Sequence, residues 1–256
     1  MINRWVQNRA ELTSAYVSQS RTVRFDLVTR AILQSLDSFP KRVVDIGGGC
    51  GRQAIQLARR GHDVLVVDSD EGMLNYARLN LLNEIPEVRR RIKLMHDRGE
   101  GIENKIGSDF DIVCCHSVLM YLSEPARLLE SLASLVKPNG IVSILTLNTR
   151  SLGMREGLLG HWKDAKALVE NPLFTASRYL QSERHDENEI VAFFELKKLR
   201  LLAWYGVLVF TDHRSEEFSE DELVDICNLE WLAGTKDPYR QVARLKHLIL
   251  QEASPD

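Results

Sequence analysis

Between about residues 41 and 148, short apolar runs alternate with segments whose apolar positions recur at helical spacing. The runs Arg42-Ile46, Asp63-Asp68, Ile92-His96, Asp111-Ser117 and Gly140-Asn148 have strand length. Between them, Gly51-Arg60, Asp70-Leu82 and Glu124-Val136 carry leucine or alanine one helical turn apart. Strands separated by helices need crossover connections, so this alternation predicts a doubly wound parallel sheet, an α/β fold.

Upstream, Val23, Leu27, Val28, Ala31, Ile32 and Leu36 fall on one helical face, and Ser38-Phe39-Pro40 ends that helix. Residues 1–40 are therefore expected to form helices that lie over the sheet as a lid. After Asn148 the alternation breaks into an insertion over 149–185, then resumes with a helix over His185-Lys198. Two late runs, Leu199-Phe210 and Ala243-Gln251, flank an acidic helix over Ser219-Asn228. Residues 186–256 then complete a seven-stranded sheet, mostly parallel with an antiparallel edge, and the whole chain 1–256 reads as one domain.

Composition narrows the picture. With 33 basic and 36 acidic residues among 256, the net charge of -3 does not advertise a general polyanion binder but leaves room for a local basic face, so nucleic acid is neither implied nor excluded. The N-terminus lacks a basic-then-apolar signal, and no apolar run approaches the roughly 18 residues of a membrane span. A cytoplasmic protein that does not enter a membrane is the expectation. Cys50, Cys114, Cys115 and Cys227 include no CxxC pair, so we expect reduced packing thiols and no metal site. Arg89-Arg90-Arg91 after Pro86 reads as a solvated turn.

The chemistry concentrates after the first strand, in Val43-Val44-Asp45-Ile46-Gly47-Gly48-Gly49-Cys50-Gly51. A glycine loop between strand and helix lets the backbone approach a ligand, and free N–H groups at the helix start favour an anion. Gly49-Cys50-Gly51-Arg52-Gln53-Ala54 spells GxGxxA, which keeps a dinucleotide-dependent oxidoreductase open. Asp45 one residue ahead of the glycines, in D-x-G-G-G-x-G, and the turn Lys137-Pro138-Asn139-Gly140 into the fifth strand, point instead to a methyl-donor site.

With Asp45 and the glycines, Asp68 at the second strand end and Lys137-Gly140, residues 41–148 resemble the class I S-adenosylmethionine-dependent methyltransferases, which have a Rossmann-like sheet. The resemblance implies S-adenosylmethionine as cofactor. Gly47, Gly48 and Gly49 would wrap its methionine part with Asp45 beside them, and Asp68 would accept hydrogen bonds from both ribose hydroxyls. Gly99 and Glu100 would flank the adenine, Met73 would stack on it, and His116 would line the site. A bland alternative for Asp68 is a cap on the helix that follows.

A narrower similarity runs through Ser20-Arg21-Thr22-Val23-Arg24, His116-Ser117-Val118-Leu119, Asn148-Thr149-Arg150-Ser151-Leu152-Gly153-Met154, Leu159-Gly160-His161-Trp162, Gly206-Asp212 and Asp237-Pro238-Tyr239. These stretches resemble the tRNA 5-carboxymethoxyuridine methyltransferases, which esterify a carboxylate on a wobble uridine. That similarity implies tRNA as partner and gives Arg24 the methionine carboxylate. A carboxylate acceptor would want a cation to place it, with Arg150, Arg155 and Arg178 as candidates, and Tyr121, Asn148 and Trp162 could shape its pocket. The insertion stretch 171–180, NPLFTASRYL, contains no lysine, which keeps a small-molecule acceptor open.

Overall fold

The computed structural model describes residues 22–36, 40–171, 183–214 and 218–252. Residues 1–21 of the expected lid, Ser38-Phe39 and Arg178 lie outside the described residues.

Strands β1 (Arg42–Ile46), β2 (Asp63–Asp68), β3 (Ile92–His96), β4 (Phe110–His116), β5 (Val136–Leu147), β6 (Leu199–Val207) and β7 (Leu245–Glu252) form one sheet in the order β3-β2-β1-β4-β5-β7-β6. The pairings from β3 to β5 are parallel, whereas β7 runs antiparallel to both β5 and β6. The chain order reverses between β1 and β4. In such sheets that switch point opens a crevice at the carboxyl ends of the strands, which is where the glycine loop leaves β1.

Burial on both faces explains the continuous apolar runs. Val43, Ile112, Cys114, Ile141 and Ile249 face one side, while Val44, Val113, Cys115, Val142 and Leu248 face the other, a strict period of two. Helices α1 (Thr22–Gln34) and α2 (Arg52–Ala58) cover the first side. Between β2 and β3 run α3 (Glu71–Leu82) and α4 (Pro86–Arg90), and α5 (Glu103–Ile106) follows β3. Helix α6 (Ala126–Leu135) packs on the second side through Leu128, Leu129, Leu132 and Leu135. The adjacent thiols Cys114 and Cys115 are thus free packing groups on opposite faces, and burial pushes both upward in pKa.

The insertion supplies α7 (Met154–Leu158) and α8 (Trp162–Glu170), after which α9 (Glu187–Leu196) returns to the second face through Ile190 and Phe194. Helix α10 (Glu220–Gly234) outruns the expected Ser219-Asn228, because Glu230, Trp231 and Ala233 continue its packing. Ser219 and Glu222 form a capping box at its start. The stretch Lys137-Gly140, expected as a turn, is already in β5, with Asn139 at φ 61 where the register against β4 shifts. The arginine run ends α4, where Arg90 pairs with Glu87 and Arg91 with Asp63.

Candidate active site

Asp68 ends β2 with both carboxylate oxygens engaged. Oδ2 accepts the Gly49 N–H and Oδ1 the Asp70 N–H, each at 2.8 Å. The helix cap is Asp70, whose Oδ1 accepts the N–H of Gly72 at 2.8 Å and of Met73 at 3.4 Å. Capping therefore does not account for Asp68. Its side chain remains part-exposed, and each oxygen keeps one lone pair for a further donor.

The glycine loop differs from an anion cradle. Gly47 N–H donates to Val67 O at 2.7 Å, Gly49 N–H to Asp68, and Gly51 N–H to Gly48 O at 3.0 Å. Three of the loop's amides, those of Gly47, Gly49 and Gly51, are thus spent inside the protein. Helix α2 has only seven residues and starts from Gly51 with no side-chain cap. A pyrophosphate at this loop would meet the carboxyl groups of Asp45 and Asp68, which argues against a dinucleotide.

The left-handed φ of 71° at Gly47 and the crowding around Gly48 show why side chains are absent here. A Cβ on Gly47 would overlap Val118 Cγ2, and one on Gly48 would come within 2.7 Å of Asp45 Oδ2. Beneath Gly48, Asp45 is 1 % exposed and its Oδ2 has no hydrogen-bond partner among the described residues. Burial first, and the neighbouring Asp68 second, raise the Asp45 carboxyl to about 7. Burial also raises Asp68, against the opposing pull of its two N–H donors.

A cavity opens between α1 and these strand ends. It is lined by Arg24, Phe25, Val28, Asp45, Gly47, Gly48, Gln53, His116 and Leu145. Of the residues expected around the cofactor, the cavity brings together Arg24, Asp45, Gly47, Gly48 and His116, and it adds Phe25 and Gln53, which the sequence did not single out. Gln53 Nε2 donates to Thr29 Oγ1 at 2.7 Å, and Thr29 Oγ1 donates to Phe25 O at 2.7 Å, tying α2 to α1. A glutamine on a helix start carries no distinctive pattern, so only the fold reveals it.

The remaining expectations divide. Gly99 is a close-packing glycine, since a Cβ would lie 2.6 Å from both Ile46 Cγ2 and Leu128 Cδ1. Glu100 is mostly covered and approaches Arg98 at 3.5 Å. Met73 is not open to a stacking base. It is 1 % exposed, with Cε 3.2 Å from the position of a Cβ on Gly49, because the first turn of α3 aims it under the loop. Asn148 is likewise structural, 1 % exposed and donating to Gln241 O at 2.9 Å and Ala243 O at 2.8 Å.

Beyond the carboxyl end of β5, a second cavity is lined by Ser151, Met154, Arg155, Leu158, Leu208, Val209, Asp212, His213, Val242 and Arg244. Arg155 Nε lies 3.0 Å from Asp212 Oδ2, and Arg244 Nε 3.6 Å from the same oxygen. Arg150 pairs with Glu187 at 2.9 Å, and buried Lys246 reaches the same Glu187 oxygen at 2.6 Å. Tyr121 is half-buried against the core, and Trp162 is 72 % exposed at the start of α8. Glu230, fully buried, accepts the N–H groups of Val209, Phe210 and Thr211, fixing the loop that carries Asp212. The sequence singled out Arg155 but not Arg244, which joins the same cavity from far along the chain.

The acids, Arg24 and the crowded glycine loop fit S-adenosylmethionine. Two carboxyl groups suit a ligand with a sulfonium, an ammonium and a diol, and a buried guanidinium suits its carboxylate. The described residues include no helix long and apolar enough to cross a membrane.

Comparison with known proteins agrees. The family model described as methyltransferase domain matches residues 44–142. The chain is 25% identical over 209 residues to the tRNA 5-carboxymethoxyuridine methyltransferase of Escherichia coli O157:H7, covering 81% of this chain and 78% of that one. It is 36% identical over 110 residues to the ubiquinone biosynthesis O-methyltransferase of Acinetobacter baylyi, covering 42% and 44%. Among solved structures, an S-adenosylmethionine-dependent methyltransferase of Thermotoga maritima superposes with a TM-score of 0.63 at 15% identity, covering 98% of both chains. Magnesium protoporphyrin IX methyltransferase of Synechocystis, crystallised with S-adenosylhomocysteine, superposes at 0.60 with 17% identity, covering 91% of this chain and 84% of that one. The chain is therefore an S-adenosylmethionine-dependent methyltransferase.

Proposed function

We propose that the chain methylates a carboxylate of a 5-carboxymethoxyuridine in tRNA. The observation that carries this reading is the reach of one likeness. The 209 residues aligned with the tRNA-modifying relative cannot fit within 44–142, so the match extends into segments outside the methyltransferase domain.

In this reading Arg24 holds the methionine carboxylate, Asp45 and the glycine loop hold the ammonium side, and Asp68 receives the ribose hydroxyls. S-adenosylmethionine, when bound, supplies an electrophilic methyl group on a positively charged sulfur. The chain's own work is to place an acceptor oxygen in line with that methyl group and to keep water out. A carboxylate acceptor is ionised at neutral pH, since ordinary carboxyls titrate near about 4, so no side chain has to remove a proton. The acceptor oxygen would gain the methyl group and the bonding pair would remain on the donor's sulfur, while Arg24, Asp45 and Asp68 would hold the donor in place. The guanidinium groups of Arg155 and Arg244 supply the cationic side on which an anionic acceptor would dock.

The shorter but closer likeness to ubiquinone biosynthesis O-methyltransferases supports a second reading, a small-molecule oxygen acceptor. Incubating the purified chain with S-adenosylmethionine and tRNA that carries the free acid, then analysing nucleosides by mass spectrometry, separates the two. The methyl ester of the wobble nucleoside is the expected product. Unchanged nucleoside, with label transferred to a small phenol in a parallel reaction, would remove the tRNA assignment and leave the methyltransferase intact.

A further inference from the structure

The donor cavity is connected to a second histidine that no motif announces. His116 on β4, Leu145 on β5, His247 on β7 and Tyr205 on β6 stand in one register row across four strands. Ser143 lies two residues before Leu145 and so faces the same side of the sheet. Its Oγ is 2.9 Å from His116 Nε2 and 2.7 Å from His247 Nε2, and the two rings meet edge to face at 5.7 Å. Ser143 and His247 are both 0 % exposed, while His116 lines the cavity beside Arg24.

Hydrogen-bond counting restricts this triad. A serine hydroxyl has one proton and two lone pairs, so it can donate to one imidazole while accepting from the other, or accept from both. It cannot donate to both. At least one ring therefore carries its proton on Nε2, and both rings are fixed in rotation through that nitrogen. The Nδ1 atoms of both rings are buried without partners among the described residues. Protonating a ring that already carries its proton on Nε2 would place the second N–H at Nδ1, which has no hydrogen-bond partner among the described residues.

We propose that Ser143 and His247 are positioning residues that hold His116 as a neutral imidazole against the methyl donor. The charge logic supports them. The donor carries a positive sulfur, and an imidazolium on the cavity wall would repel it as well as Arg24. The charged or titratable groups facing this ring are Arg24 on α1, Asp45 on β1, Cys114 on its own strand and His247 on β7. Burial, then His247 and then Arg24, keep His116 well below the ordinary histidine range, and burial takes His247 down to about 3.

The inference rests on the donor-site assignment and not on the acceptor, and its test reads the protein without turnover. In histidine-labelled full-length chain, ring-nitrogen NMR should show His116 and His247 neutral from about pH 5.5 to 8. At least one should be the Nε2–H tautomer. S-adenosylhomocysteine affinity is then measured by calorimetry at both ends of that range, with thermal stability followed in parallel. His247→Leu should bind roughly tenfold more weakly and release the His116 ring from its fixed tautomer, whereas His247→Gln, which can still bond Ser143, should recover most of the affinity. Either ring titrating in that window in the wild type would overturn the proposal. So would wild-type affinity in His247→Leu, or equal losses in the Leu and Gln variants. Failure of the wild type to bind S-adenosylhomocysteine would overturn the donor-site assignment instead.

Discussion

Asp68 Oδ2 accepts the N–H of Gly49 at 2.8 Å, joining the end of β2 to the glycine loop that leaves β1. One carboxylate thus shapes the loop and, in the proposed reading, presents its remaining lone pairs to the ribose diol. Asp68→Ala should lose both roles. At about 1.5–3 kcal/mol for each hydrogen bond to a charged group, S-adenosylhomocysteine affinity should fall by at least about tenfold. Asp68→Asn should also suffer, because a carboxamide cannot accept from both the Gly49 and Asp70 amides without turning an NH2 toward one of them. Calorimetric titration decides the matter, and wild-type affinity in the alanine variant would end the ribose assignment.

Asp45 makes the apoprotein pH-sensitive in a definite direction. Its carboxyl is raised from 3.8 to about 7 in the fold, so between those values the native state holds a proton that the unfolded chain has released. Stability from this group is present at low pH and is lost as pH rises through about 7. The loss is at most roughly 4 kcal/mol. Asp45→Asn should flatten that decline and raise the melting temperature above pH 7, while weakening the cofactor. Because a cationic ligand favours ionised Asp45, wild-type affinity for S-adenosylmethionine should rise between about pH 6 and 8, with a proton released on binding. A variant that loses stability above pH 7 would contradict this account.

How much of this was legible in the chain follows from the physics of each signal. Strands and crossovers were readable because both faces of the sheet are buried, which forces apolar runs such as Val64-Leu65-Val66-Val67. Asp45, the glycines and Asp68 stood out because a loop packed this closely against its neighbours tolerates few residue types. The row from His116 to His247 was not, since its members pair across strands far apart in sequence and register appears only when the sheet closes. Asn148 looked like a pocket residue because a polar group at a strand end serves a ligand or the backbone equally well. The glycine amides of GxGxxA are not free as expected, because spelling does not say that Asp68 takes the Gly49 amide and Gly48 O the Gly51 amide.

Asn148→Ala separates those two uses of a polar strand end. The side chain bonds Gln241 O and Ala243 O from a nearly closed site, so its loss leaves two carbonyls without that donor. The expected cost is about 1–3 kcal/mol of unfolding free energy, read by denaturant titration. The KM for the methyl acceptor should stay near that of the wild type. A raised KM with unchanged stability would restore Asn148 to the pocket.

Arg155 and Asp212 supply the sharpest test of the acceptor side, because two substitutions break the same ion pair with opposite consequences. The pair spans 3.0 Å with each side chain about one-fifth exposed, 21% and 22%. If the guanidinium serves an anionic acceptor, Arg155→Ala should raise the KM for tRNA roughly tenfold while leaving S-adenosylhomocysteine affinity intact. Asp212→Asn removes the internal competitor and keeps the cation, so the KM should stay level or fall. A purely structural pair predicts equal damage from both, since each would loosen the join between α7 and the loop after β6. Steady-state kinetics on both variants, with melting temperatures measured alongside, distinguish the outcomes, and a matched rise in KM would remove Arg155 from acceptor binding.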